Sequence, residues 1–133
     1  RSSAPVRGPL LDGPPAALVL MQLFNETGGP QWFQSDNWGS GTEFAPCDWF
    51  GVTCDAPASV SGLDLTSNNL LGDPQAVSNL INLTSLNMSG NALGSAVPSF
   101  ADCDKLTFAN LSSCNFGTVP SDWPPIETLD LSM

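Results

Sequence analysis

From Val60 onward the chain repeats itself with a fixed step. "VSGLDLTSNNLLG" begins at residue 60, "LTSLNMSGNALG" at 83 and "LTFANLSSCNFG" at 106, so the starts are 23 residues apart. Asn68, Asn91 and Cys114 keep the same interval, and a fourth start, "IETLDLSM", falls at 126 after a shorter turn. The shared frame is L-x-x-L-x-L-x-x-N/C-x-L, with Ala109 in one leucine place. A unit of this size holds one short strand and cannot bury its apolar side alone, so neighbouring units must stack. Strand alternation turns Leu63 and Leu65, Leu86 and Met88, and Leu111 inward, and the residue between each pair outward. The amides of Asn68 and Asn91, where the chain leaves the strand, can satisfy turn backbone groups that the sheet does not reach. Cys114 stands in that place as a small buried residue.

The segments before the repeats read differently. Residues 1–15, with four prolines and two glycines, form an extended lead-in without a core of its own. A helical pattern starts at Pro14, where proline is tolerated because the first helical N–H groups lack partners. Leu20, Leu23 and Phe24 share a face with Ala16 and Ala17, and Gly28-Gly29-Pro30 ends the helix. Three tryptophans then fall in an irregular stretch, where bulky aromatics plug the end of a core. The divisions are 1–15 for the lead-in, 16–59 for a cap and 60–133 for the repeats.

The motif Cys47-x-Trp49-x-Gly51-Val52-x-Cys54, behind the helix, resembles the N-terminal cap of plant-type extracellular leucine-rich repeat proteins. Gly28, Gly29, Trp32, Asn37 and Trp38 are similar to the protist and algal variants of that cap. The resemblance covers about 16–133 and implies an α/β solenoid: a short leucine-rich repeat array of three to four coils, with a parallel β-sheet on its concave face and a helical, disulfide-bonded N-terminal cap. It also implies that Cys47 and Cys54 pair. No His and no second cysteine pair completes a zinc site at these cysteines. The plant repeat's L-x-G-x-I-P turn is kept only in part, at Gly72-Asp73-Pro74 and with Ser95 in a glycine place, so the convex side is expected to depart from a standard plant solenoid.

Cys103 repeats the position of Leu80, and Cys114 the asparagine position, so both are expected inside. They read either as two buried thiols or, in an oxidising compartment, as a second bridge. Four glycosylation acceptor patterns occur, at Asn25, Asn82, Asn87 and Asn110. Asn87 and Asn110 share one outward strand position, preceded there by Asp64 and followed by Asp130. The expected concave face comprises Asp64, Thr66, Asn87, Ser89, Phe108, Asn110, Ser112, Thr128 and Asp130. Glycans at Asn87 and Asn110 would stand in its middle.

The charge narrows the functions. Three basic residues face thirteen acidic ones, a formal net charge of −10, which repels nucleic acid and anionic membranes. No segment is long enough to span a bilayer; the longest apolar run, at 16–24, is too short and carries a Gln. The absence of His and of a phosphate-binding glycine loop argues against an enzyme, and no cofactor or metal is implied. Two readings remain, both of a non-enzymatic protein, secreted or at the cell surface. One is a glycosylated structural surface or filament subunit, assembling with itself or another surface protein through its solenoid end at Ile126, Leu129 and Leu131. The alternative is a ligand-binding ectodomain fragment of a receptor-like or inhibitor-like leucine-rich repeat protein. The sequence leans towards the first, because the concave stripe is short and Phe108 is its only aromatic.

Overall fold

One repeat step is one strand of a sheet. Leu63 pairs with Leu86, Leu86 with Ala109 and Ala109 with Leu129 across the parallel strands β2 (Ser59–Asp64), β3 (Ser85–Asn87), β4 (Phe108–Asn110) and β5 (Thr128–Asp130). The structure is a computed structural model and describes residues 16–39, 46–56, 59–94, 97–116 and 126–131. The lead-in expected at 1–15 and the turn residue Ser95 lie outside the described residues.

The core is built in columns that follow the repeat. Leu65, Met88 and Leu111 form one, Val77 and Phe100 another, and Leu83 and Leu106 a third, all essentially shielded from water. Fully burying one such side chain stabilises the fold by about 1.5–3 kcal/mol. In the strand column, Leu63, Leu86 and Ala109 are buried, whereas Leu129 is 38% exposed. Ile126 and Leu131 beside it are half-buried.

Two side-chain ladders tie the coils together at the ends of the strands. At the entry, the Thr84 hydroxyl donates to the Ser61 carbonyl at 3.0 Å and the Thr107 hydroxyl to that of Thr84 at 3.2 Å. At the exit, Asn91 Oδ1 accepts the backbone N–H groups of Asn68 and Leu70, and its Nδ2 donates to the carbonyls of Leu65 and Met88. Asn68 exchanges a pair of such bonds with the backbone of Gln34 in the cap. Both asparagines serve the turn backbone, as their place in the repeat suggests.

Cys114 performs that task with weaker bonds, its sulfur facing the backbone N–H groups of Asn91 and Gly90. Its thiol donates to the Met88 carbonyl at 3.0 Å, but a thiol has no strong acceptor for turn N–H groups. Cys103 points its sulfur at the carbonyls of Ser78 and Leu80. The second bridge weighed from the sequence is therefore not formed: Cys103 and Cys114 are free and buried, each thiol bonded to backbone carbonyls of its own surroundings.

The cap seals the first coil from one end. Helix α1 (Ala16–Glu26) buries Ala17, Val19, Leu20 and Leu23. It packs on the short 3-10 helix Gln75–Asn79 of the first coil, and the carbonyls of Glu26, its last residue, and of Thr27 just after it accept N–H groups of Asp73 and Leu71. Gly28 leaves the helix in a left-handed conformation, φ 71°, which costs glycine little. Phe24, Trp32, Trp38 and Trp49 then cluster with ring centroids 4.8 to 5.9 Å apart. The indole N–H groups of Trp32 and Trp38 donate to the carbonyls of Thr27 and Phe50. The Cys47–Cys54 disulfide closes this segment. The cap also supplies a strand that the motif does not announce: β1 (Val52–Ala56) pairs antiparallel with β2 and extends the sheet.

Candidate functional site

The concave face consists of three outward columns. The first runs Thr53, Gly62, Ser85, Phe108, Thr128, and the second Asp64, Asn87, Asn110, Asp130, both in strict register. The third, just beyond the strands, contains Thr66, Ser89 and Ser112. The sheet thus brings together all nine residues expected there.

The second and third columns are locked to each other. Asp64 Oδ1 accepts the backbone N–H of Thr66 at 3.1 Å and its hydroxyl at 2.6 Å. Asn87 does the same with Ser89, at 3.1 and 2.9 Å, and Asn110 with Ser112, at 3.1 and 2.7 Å. These are Asx turns, in which a short side-chain acceptor mimics a backbone carbonyl. The two amides are consequently oriented by their oxygens. Among the described residues neither Nδ2 donates a hydrogen bond within the chain.

The first column holds the relief of the face. Gly62 and Ser85 are small and lie between Thr53 on one side and Phe108 on the other. The result is a shallow groove of about 350 Å3, lined also by Gly51, Asp64 and Asn87. Its floor is tight: a Cβ on Gly62 would lie 3.2 Å from that of Thr53. Asn110, Thr128, Asp130 and the third column lie outside this groove. Thr53, Gly62 and Ser85 are the face residues that the repeat pattern overlooked. Stepping back 23 from Phe108 reaches Ser85 and then Gly62; only Thr53, contributed by the cap, had no such signal.

No basic side chain shares this face among the described residues. Lys105, the only one of the three basic residues in the described part, donates to Asn82 Oδ1 at 3.0 Å on the loops ahead of the strands. Among the four acceptor asparagines, Asn25 is exposed on α1, and Asn82, Asn87 and Asn110 are half-buried. Among the described residues there is no grouping of His, Cys, Asp and Glu fit to hold a metal ion. Burial, reinforced by the flanking carboxylates of Asp102 and Asp104, pushes the Cys103 thiol up to about 11. Burial also raises Cys114. Both thiols are therefore neutral and unreactive rather than nucleophilic at neutral pH.

A leucine-rich repeat family model matches residues 82–103. The chain is 37% identical over 79 residues, 58% of its length, to Receptor-like protein kinase BRI1-like 3 of Arabidopsis thaliana, and covers 7% of that protein. Its fold superposes with a TM-score of 0.70 and 28% identity on the Arabidopsis receptor kinase HAESA, solved in complex with the peptide hormone IDA and the co-receptor SERK1, over 86% of this chain and 20% of that one. PEPR1, solved with AtPEP1, gives a TM-score of 0.60 and 27% identity over 77% of this chain and 14% of that one. The chain spans a tenth or less of the Arabidopsis receptor-like kinases it matches.

Proposed function

We propose that this leucine-rich repeat domain, which resembles plant receptor ectodomains and carries their kind of disulfide-bonded cap, is an extracellular interaction module whose concave face takes a peptide or a protein segment. One observation carries the reading: the face has a groove, floored by Gly62 and Ser85 and walled by Thr53 and Phe108. A face meant only as scaffold has no need of a glycine in its second strand, where glycine weakens the sheet and permits close backbone approach. The peptide-bound state of HAESA, a structural relative, supports the same direction. These similarities favour the ligand-binding reading over the filament subunit towards which the sequence leans. The disulfide fits an oxidising, extracytoplasmic setting.

The test is selection of binders from a displayed library of random peptides, followed by two variants. Ser85→Trp fills the groove from an exposed strand position; Ala101→Trp alters the exposed return segment after β3. Binders that lose affinity for the first variant and keep it for the second support the proposal. Binders indifferent to Ser85→Trp, or sensitive only to Ala101→Trp, sink it.

A further inference from the structure

The second column of the face carries a charge pattern with a definite length. It reads carboxylate, amide, amide, carboxylate: Asp64, Asn87, Asn110, Asp130, one residue per strand. Neighbouring strands lie about 4.8 Å apart, so the two carboxylates are separated by three steps, about 14 Å. An extended peptide laid across the strands advances about 3.3 Å per residue, and only residues an even number apart face the same way. The separation that fits is four residues, about 13 Å; two residues reach about 7 Å and six about 20 Å.

Resting on the concave-face reading above, we infer that the ligand is an extended peptide segment with basic side chains at positions i and i+4, which run across the sheet from Asp64 to Asp130. Charge complementarity argues for this occupant. The protein has a net charge of −10, and the only basic side chain among the described residues is engaged with Asn82, away from the face. The middle of the row suits a peptide backbone. The Asx turns to Ser89 and Ser112 fix the oxygens of Asn87 and Asn110. The two Nδ2 groups are left as donors for ligand carbonyls between the basic residues. A nucleic acid would be repelled by the same charges.

The experiment uses fluorescein-labelled nonapeptides of a neutral Ser/Thr background and the unglycosylated 133-residue chain, followed by anisotropy. Lys at positions 3 and 7 is compared with Lys at 3 and 6, Lys at 3 and 5, Glu at 3 and 7, and the neutral parent. The 3,7 peptide is expected to bind tightest and to weaken with added salt. Asp64→Asn and Asp130→Asn should each weaken it about three- to fivefold, the size of one partly exposed ion pair. Asp64→Asn keeps the Asx turn, as Asn87 and Asn110 do in their own strands, so a folding defect does not intervene. Equal binding of the 3,6 peptide, or indifference to both asparagine variants, overturns the inference. If the neutral or Glu peptide binds best and Ser85→Trp abolishes that binding, the concave-face reading survives and the basic spacing does not. If no peptide binds, both fall.

Discussion

The side-chain oxygen of Asn91 accepts the backbone N–H of Asn68 at 2.8 Å, so the asparagine of one coil completes the turn of the coil before it. The same amide serves Leu70, Leu65 and Met88, all buried. Removing it leaves several buried polar groups without partners, at about 1–3 kcal/mol for each that water cannot reach. Asn91→Ala is therefore expected to destabilise the chain by about 2–4 kcal/mol, with urea unfolding as the measure. Asn82→Ala, which removes a bond to the exposed Lys105 alone, should cost less than about 1 kcal/mol. Equal losses for the two would refute the ladder's role.

In the three coils whose exit is described, the residue before the exit-ladder side chain is left-handed: Ser67 at φ 48°, Gly90 at 75° and Ser113 at 55°. Only the middle coil has the residue that suits this conformation. Ser113→Gly should stabilise by up to about 1 kcal/mol, because the side chain gives up a strained backbone region. Gly90→Ala should destabilise by about 1–2 kcal/mol for the reverse reason, and its new Cβ would also meet the Ser67 hydroxyl. Thermal melts of the two variants moving in the same direction would contradict this.

Cys103 sets a pH dependence at the alkaline end. Its thiol rises from an ordinary value of 9.0 to about 11, first through burial and then through Asp102 and Asp104. Between those values the folded chain holds a proton that the unfolded chain has lost. This part of the stability is complete below pH 9 and declines as pH rises to 11. Cys103→Ala should flatten that decline while lowering stability at pH 7. A thiol reagent at pH 8 should modify Cys103 and Cys114 only on unfolding. Rapid labelling of the native chain would show that the sulfurs are accessible.

Sugar occupancy discriminates between the two uses of the concave face. Asn87 lines the groove and Asn110 lies just beyond it. A binding face requires Asn87 bare in the functional form, whereas Asn25, exposed on α1, can carry glycan without touching the groove. Glycopeptide mass spectrometry of material from a secreting eukaryotic host is expected to find sugar at Asn25 and little at Asn87. Full occupancy of Asn87 would return the lead to a sugar-coated surface protein.

Much of this architecture was legible because period and packing coincide in a solenoid. The 23-residue step located β2, β3 and β4, their inward leucines and the turn-serving places of Asn68 and Asn91; that Asn91 reaches back to the coil before it is visible only in the structure. It also placed Asp64, Asn87 and Asn110 in one row, to which the fourth start at 126, after a shorter turn, added Asp130. The groove was harder to see. A glycine offers no periodic signal, so Gly62 reads as a weak strand residue until its neighbours Thr53 and Phe108 are placed beside it. β1 was hidden because its pairing with β2 is antiparallel and lies outside the repeat. The two thiols were ambiguous because a buried cysteine satisfies the apolar frame whether or not it finds another sulfur.

The antiparallel pairing of Thr53 with Gly62 bears on how such domains can be recombined. One wall of the groove is encoded in the cap and the floor in the first two coils. If that groove takes ligand as proposed, exchanging caps between related solenoids as if they were inert end-pieces would alter ligand preference. On the proposed concave-face reading, a chimera that retains every coil but takes a foreign cap would carry a different groove, so the segment that shapes it runs from Thr53 in the cap into the repeats.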